Sequence, residues 1–141
     1  MRRKVNYVLI ICVGCILYAV YSCNRSSSGL ATAEVIPDTI SYNFNIRPIL
    51  SDKCFKCHGP DANKRQAGLR LDMPESAYAA LKDDPEAHAL VPGSLKLSEV
   101  YKRISTDDST TMMPPPASNL KRLSPFEVSR IKQRIKQGAK Y

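Results

Sequence analysis

The most constraining stretch of the chain is Cys54-Phe55-Lys56-Cys57-His58. Two cysteines separated by two residues and followed at once by histidine form the attachment signature of a c-type haem. The two thiols can add to the two vinyl groups of one porphyrin as thioethers. His58 is then held under the iron and can supply an axial nitrogen. Shuffling this composition yields the pattern only roughly two times in a thousand, so chance explains it poorly. A short disulfide or thioredoxin-like redox pair is the first alternative, but that pair usually comes with a βαβ pattern, which the sequence lacks. Half of a zinc site is the second; zinc needs another ligand pair, and no further C-x-x-C or H-x-x-x-H exists beyond the leader.

The 141 residues suffice for one domain plus a targeting segment. The formal charge is +8, or +5 once Arg2, Arg3 and Lys4 are removed with residues 1–22. A moderately basic domain favours acidic partners or anionic surfaces. Nucleic acid is not expected, because no basic stretch is interleaved with aromatics or matches a binding motif. Of the five cysteines, Cys12 and Cys15 lie in the apolar leader, Cys23 closes it, and Cys54 and Cys57 belong to the haem pattern. None is left for a structural disulfide.

Arg2-Arg3-Lys4 followed by the apolar run Val5 to Tyr21 reads as an export segment whose positive end stays in the cytoplasm. Its Cys12-Val-Gly-Cys15 is followed by Ile16, not histidine, and has no ligand role. Val20-Tyr21-Ser22-Cys23 resembles a bacterial lipobox, which implies acylation of Cys23; an uncleaved signal anchor is the alternative. Either way the domain is expected outside the cytoplasm, membrane-anchored on the periplasmic side, where c-type haem is attached. Residues 23–41, polar and flexible around Asn24–Gly29, read as a tether, with a strand near Glu34-Val-Ile-Pro37 as the alternative.

The domain is expected over 42–141. Asn43 or Asn45 can cap a first helix bearing Phe44, Ile46, Ile49 and Leu50, with Pro48 in its first turn and Gly59-Pro60 as its stop. Tyr42 to Cys57-His58-Gly-Pro, Ala67-Gly-Leu-Arg-Leu-Asp72, Val91-Pro-Gly93, Ser98 with Arg103-Ile104, Met113-Pro-Pro and Gln137-Gly-Ala139 occur in family order. Together they resemble the planctomycete-type cytochrome c domain, over residues 42–139. That domain usually opens a longer protein, so a stand-alone version and a piece of a larger oxidoreductase are both open.

Arg70 can fork onto a haem propionate, or instead stay on the surface or pair with Asp72. Glu75 to Leu81 is a short helix candidate, and His88, in a polar stretch, is expected in solvent, with sixth ligation as its alternative. Ser98 can N-cap a helix over Glu99 to Ile104. Met112-Met113-Pro114-Pro115-Pro116 places methionines before a stiff, extended proline run, so a thioether can meet the iron at small entropic cost. The resemblance implies Met113 as that ligand, with Met112, or core packing without ligation, as alternatives. His/Met ligation raises the reduction potential and suits electron transfer. Ser124-Pro-Phe-Glu127 is a capping box with Leu123 and Val128 as its staple, opening a last helix that Gly138 ends. Its Arg130, Lys132, Arg134 and Lys136, with Lys140, form either a solvated face or a docking patch for an acidic redox partner.

The expectation is therefore an all-α, class I cytochrome c-like fold: short helices around one covalent haem c, with the haem-free chain poorly folded. The function expected is single-electron transfer (Fe(III)/Fe(II)) between envelope redox proteins, with no catalytic residue. The alternatives are an electron-entry domain of a larger enzyme, a haem enzyme with an open axial site, or an interaction module of the envelope.

Overall fold

The computed structural model describes Cys12, Val13, Cys15 and residues 35–141. Cys12, Val13 and Cys15 are helical and exposed; the expected leader as a whole, Cys23 and the tether up to residue 34 lie outside the described residues. Among the described residues no helix is long and apolar enough to cross a membrane.

The unit Val35–Tyr141 begins packing earlier than Tyr42. Ile40 is fully buried. Its N–H donates to Gln137 Oε1 at 3.0 Å and its carbonyl accepts from Arg134 Nη1 at 2.7 Å, while Gln137 also donates to the Asp38 carbonyl. The last stretch of the expected tether is thus part of the domain, clamped to the C-terminal helix.

Ser41, not Asn43 or Asn45, caps the next element: its hydroxyl accepts from the Phe44 N–H. Tyr42–Ile46 forms a π-helical turn that leads into helix α1, Arg47–Lys53, with Pro48 in its first turn. Ile46, Ile49 and Leu50 are buried as expected, but Phe44 is 84 % exposed. Cys54 breaks the helical path (φ −123°), and α2, Phe55–His58, restarts it. Gly59 stops α2 where no side chain fits, since a Cβ there would lie 2.3 Å from the Phe55 carbonyl oxygen.

Helix α3 spans Pro74–Tyr78. After it comes an antiparallel hairpin, β1 (Ala80–Leu81) with β2 (Asp84–His88), paired Ala80 to His88 and Leu81 to Asp84. This hairpin overturns the all-α, class I-like expectation: the fold is mixed, with a few short helices and a two-stranded sheet. The helix expected over Glu75 to Leu81 ends at Tyr78, Ala80–Leu81 pair as a strand instead, and Pro85 keeps β2 from being helical. It cannot donate in a helical ladder, and it biases Asp84 toward extended geometry.

Helix α4 is Glu99–Ser105. Ser98 stands at its N-cap position, but its hydroxyl makes no cap bond. Fully buried, it accepts from the Val91 N–H at 2.9 Å and donates to the Ser94 carbonyl at 2.6 Å, so it pins the preceding turn. Helix α5, Pro125–Lys136, has both bonds of the capping box between Ser124 and Glu127. Leu123 and Val128 pack on the same core, and Gly138 leaves the helix at φ +91°, a left-handed conformation that glycine adopts without a Cβ penalty.

The main core joins Ile40, Ile46, Ile49, Leu50, Ile104, Ile131 and Ile135. A smaller one joins Leu71, Ala77 and Ala89, and Cys54, Phe55, Leu90 and Val100 touch both. The haem-pattern cysteine therefore sits where the two cores meet. Tyr141 closes the small core, its hydroxyl donating to the Leu71 carbonyl at 2.9 Å and its ring 4.5 Å from that of Tyr42.

Candidate functional site

Helix α2 carries Cys57 and His58, and Cys54 precedes it, so one turn of chain holds all three groups. The His58 N–H donates to the Cys54 carbonyl at 2.8 Å. The Cys57 carbonyl then accepts from the Gln66 N–H, and the His58 carbonyl from the Leu71 N–H, each at 2.8 Å. These two bonds sew the loop after the motif back onto it and bring Leu69 and Leu71 to the same wall.

That wall belongs to a cavity of about 420 Å³, partly open to solvent and mainly apolar, within the usual range for cofactor sites of roughly 300–1,000 Å³. Cys54, Cys57, His58 and Met113 all line it. The methionine arrives from a distant part of the chain, on a segment held by two ties. Its N–H donates to the Arg103 carbonyl at 2.9 Å, and Lys56 Nζ reaches the Ser118 carbonyl at 3.3 Å. Met112 is buried and does not line the cavity. The proline run is not uniformly extended as expected: Met113–Pro114 is a cis peptide, and Pro116–Ser118 form a 3₁₀ turn, with proline where it opens a helix comfortably.

His58 is half-buried. Burial holds its pKa below the usual histidine value, with the Arg103 charge acting in the same direction. A neutral imidazole keeps a lone pair for a metal, and buried Nδ1 has no hydrogen-bond partner among the described residues. Burial pushes the Cys54 thiol up to about 12. Both site cysteines are free, as are Cys12 and Cys15. Among the described residues no cluster of three or more His, Cys, Asp and Glu side chains could hold a metal ion, which leaves the zinc alternative without ligands there.

Residues 54–117 match the family model described as Planctomycete cytochrome C. This segment belongs to that family. No curated protein and no solved structure matches the chain. The cytochrome segment contains all four cavity residues of the expected haem site, while helices α1 and α5 lie outside it.

The matched segment is that of a cytochrome c-type haem protein, and haem c is the cofactor it implies. The residues fit it: two free thiols at the motif spacing, a neutral half-buried imidazole and a thioether share one apolar cavity.

Two expected residues lie elsewhere. Arg70 does not line the cavity; its Nε and Nη2 fork onto Asp72 Oδ1 and Oδ2 at 3.1 and 2.5 Å. His88 is half-buried rather than in solvent, its Nδ1 3.0 Å from the Tyr78 carbonyl, and it does not line the cavity either. The cytochrome's cavity cations are instead Lys53, Lys82 and Arg103, interspersed with Asp83, Asp84 and Glu99. Sequence reasoning gave them no role. The signal was present for Arg103: it shares a helical face with Val100 and Ile104, at spacing i, i+3, i+4, an arginine inside an apolar stripe. None of the cations on α5 lines the cavity. Arg130 stacks over Phe126 at 4.2 Å, and Arg134 is engaged with Ile40.

Proposed function

We propose that the chain is a membrane-tethered, monohaem c-type cytochrome that carries single electrons between redox proteins of the cell envelope. The observation that carries this reading is the convergence of Cys54, Cys57, His58 and Met113 on one apolar cavity. The bound haem supplies a reversible one-electron Fe(III)/Fe(II) couple. Cys54 and Cys57 would anchor it, each S–H able to add across one vinyl C=C with no leaving group. In the folded chain the Cys54 thiol, held near 12 by burial, is a poor nucleophile at neutral pH. His58 offers a neutral nitrogen and Met113 a thioether. His58 and Met113 together would hold the iron, and the chemistry supplied there would suit electron transfer rather than catalysis. Apolar residues such as Leu69, Leu71, Val100 and Ile104 would cover much of the porphyrin, and the partly open side is where a redox partner approaches.

The basic start, the apolar run Val5 to Tyr21 and the lipobox-like Val20-Tyr21-Ser22-Cys23 support export and acylation at Cys23. The test is expression of the full chain in a host that matures c-type haem. A pyridine haemochrome of thioether type, a weak red-end band in the oxidised protein typical of Fe–S(Met) bonding, and release from membranes by Cys23→Ala are the expected results. Colourless protein overturns the haem reading. A high-spin spectrum overturns the carrier reading in favour of an open catalytic site.

A further inference from the structure

The cavity is lined by three cations on three different elements, and their commitments differ. Lys53 is paired with Asp52 at 2.6 Å. Lys82 sits between the hairpin strands, next to Asp83 and Asp84. Among the described residues Arg103 has only long contacts: Nε lies 3.7 Å from Glu99 Oε2, and Nη1 lies 3.5 Å from the Thr111 carbonyl. Glu99 is itself taken at 2.6 Å by Lys102. A guanidinium has five N–H donors in a fork that matches a carboxylate, and most of those of Arg103 are uncommitted. The same residue is tied to both expected axial groups. Its carbonyl holds the Met113 N–H, and its charge is felt at His58.

We infer that Arg103, and not Arg70, is the residue that grips a haem propionate. This rests on the haem reading above. Arg70 matches the motif in sequence but spends its fork on Asp72. Arg103 stands in the cavity wall with its fork open. Its side chain is 41 % exposed, so it reaches the rim, where a carboxylate can stay hydrated on one side and be bound on the other. Glu99 is displaced as partner without leaving an unpaired charge, because Lys102 retains it. The charged groups that line the cavity are Arg103 and Glu99 from α4, Lys53 from α1, and Lys82, Asp83 and Asp84 from the hairpin.

The consequence is electrostatic. A paired propionate stays ionised through the working pH range. Without Arg103 its pKa rises, and its deprotonation then favours the ferric state as pH increases. The lost cation also favours ferric iron directly. The experiment is a titration of midpoint potential against pH for the haem-loaded parent, Arg103→Gln, Arg103→Lys and Arg70→Gln. Arg103→Gln is expected to lower the potential at pH 7 and to add a descending limb between about pH 5 and 8. Arg103→Lys should show a smaller change in both, and Arg70→Gln neither. Parent-like profiles for Arg103→Gln, or the same limb in Arg70→Gln, overturn the assignment. If Arg103→Gln fails to fold, a parent-like profile in Arg103→Lys beside an altered one in Arg70→Gln does so too. A haem-free parent in the haemochrome assay overturns the underlying haem reading instead, so the two failures are distinct.

Discussion

Met112 and Met113 are neighbours in the chain with different surroundings. Met112 is packed away in the interior, and Met113 faces the cavity. In the loaded protein Met113→Ala should abolish the red-end band and lower the reduction potential, because a thioether opposite histidine favours ferrous iron. Met112→Leu, a swap that keeps volume, should leave the band in place; visible spectra of the two variants decide. Asp72 gives a pH prediction. The Arg70 fork holds its carboxyl below the ordinary carboxylate range. Its folded pKa is depressed, so the stabilisation is present above the unfolded value near 3.9 and is lost as pH falls through the folded one. Asp72→Asn should therefore lower stability at pH 7 and flatten the acid-side loss, as urea midpoints at pH 7 and pH 3 would show. That Cys54, Cys57 and His58 share one cavity wall was legible in the sequence because the C-x-x-C-H spacing is local, within one turn of chain. Arg103 was not, because its value depends on what neighbouring elements leave free.

Among the elements, α5 was read well because its signals are local. Ser124 and Glu127 satisfy each other across three residues, and no distant contact is needed to foresee it. Ser124→Ala should cost about 1 kcal/mol, or roughly 4–8 °C in Tm for a domain of this size, measured by thermal unfolding of the loaded protein. The hairpin was missed for the converse reason. Asp84-Pro85-Glu86-Ala87-His88 has neither β-branched nor aromatic residues, so propensity speaks against a strand. What fixes it is tertiary: Ala77 and Ala89 on either side are buried in the small core, and the Leu90 N–H bonds the Ala77 carbonyl at 2.9 Å. Ser98 teaches the same point, since the N-cap rule located the start of α4 but the hydroxyl found better partners in the turn behind it.

For the whole molecule, the cavity bears on stability as well as function. A closed, dry void of 420 Å³ would cost about 10 kcal/mol at roughly 24 cal/mol per Å³, comparable to the total of about 5–15 kcal/mol that holds a domain together. Opening to solvent relieves part of that cost, leaving a haem-free chain at the margin of folding. Poorly dispersed amide NMR signals without haem and well dispersed ones with it are expected; good dispersion in both contradicts this. The all-α expectation failed at this scale because it extended the character of the best-signalled helices to a polar segment whose shape is set by its neighbours. The clasp of Arg134 and Gln137 on Ile40 has a mechanical meaning. A pull on the N-terminal side meets the domain at Ile40, where these bonds tie the entering segment to the end of the C-terminal helix. A version cut back to Tyr42 would lose those bonds together with a fully buried isoleucine, at about 2–5 kcal/mol. One begun at Val35 should unfold at the same urea concentration as the full chain.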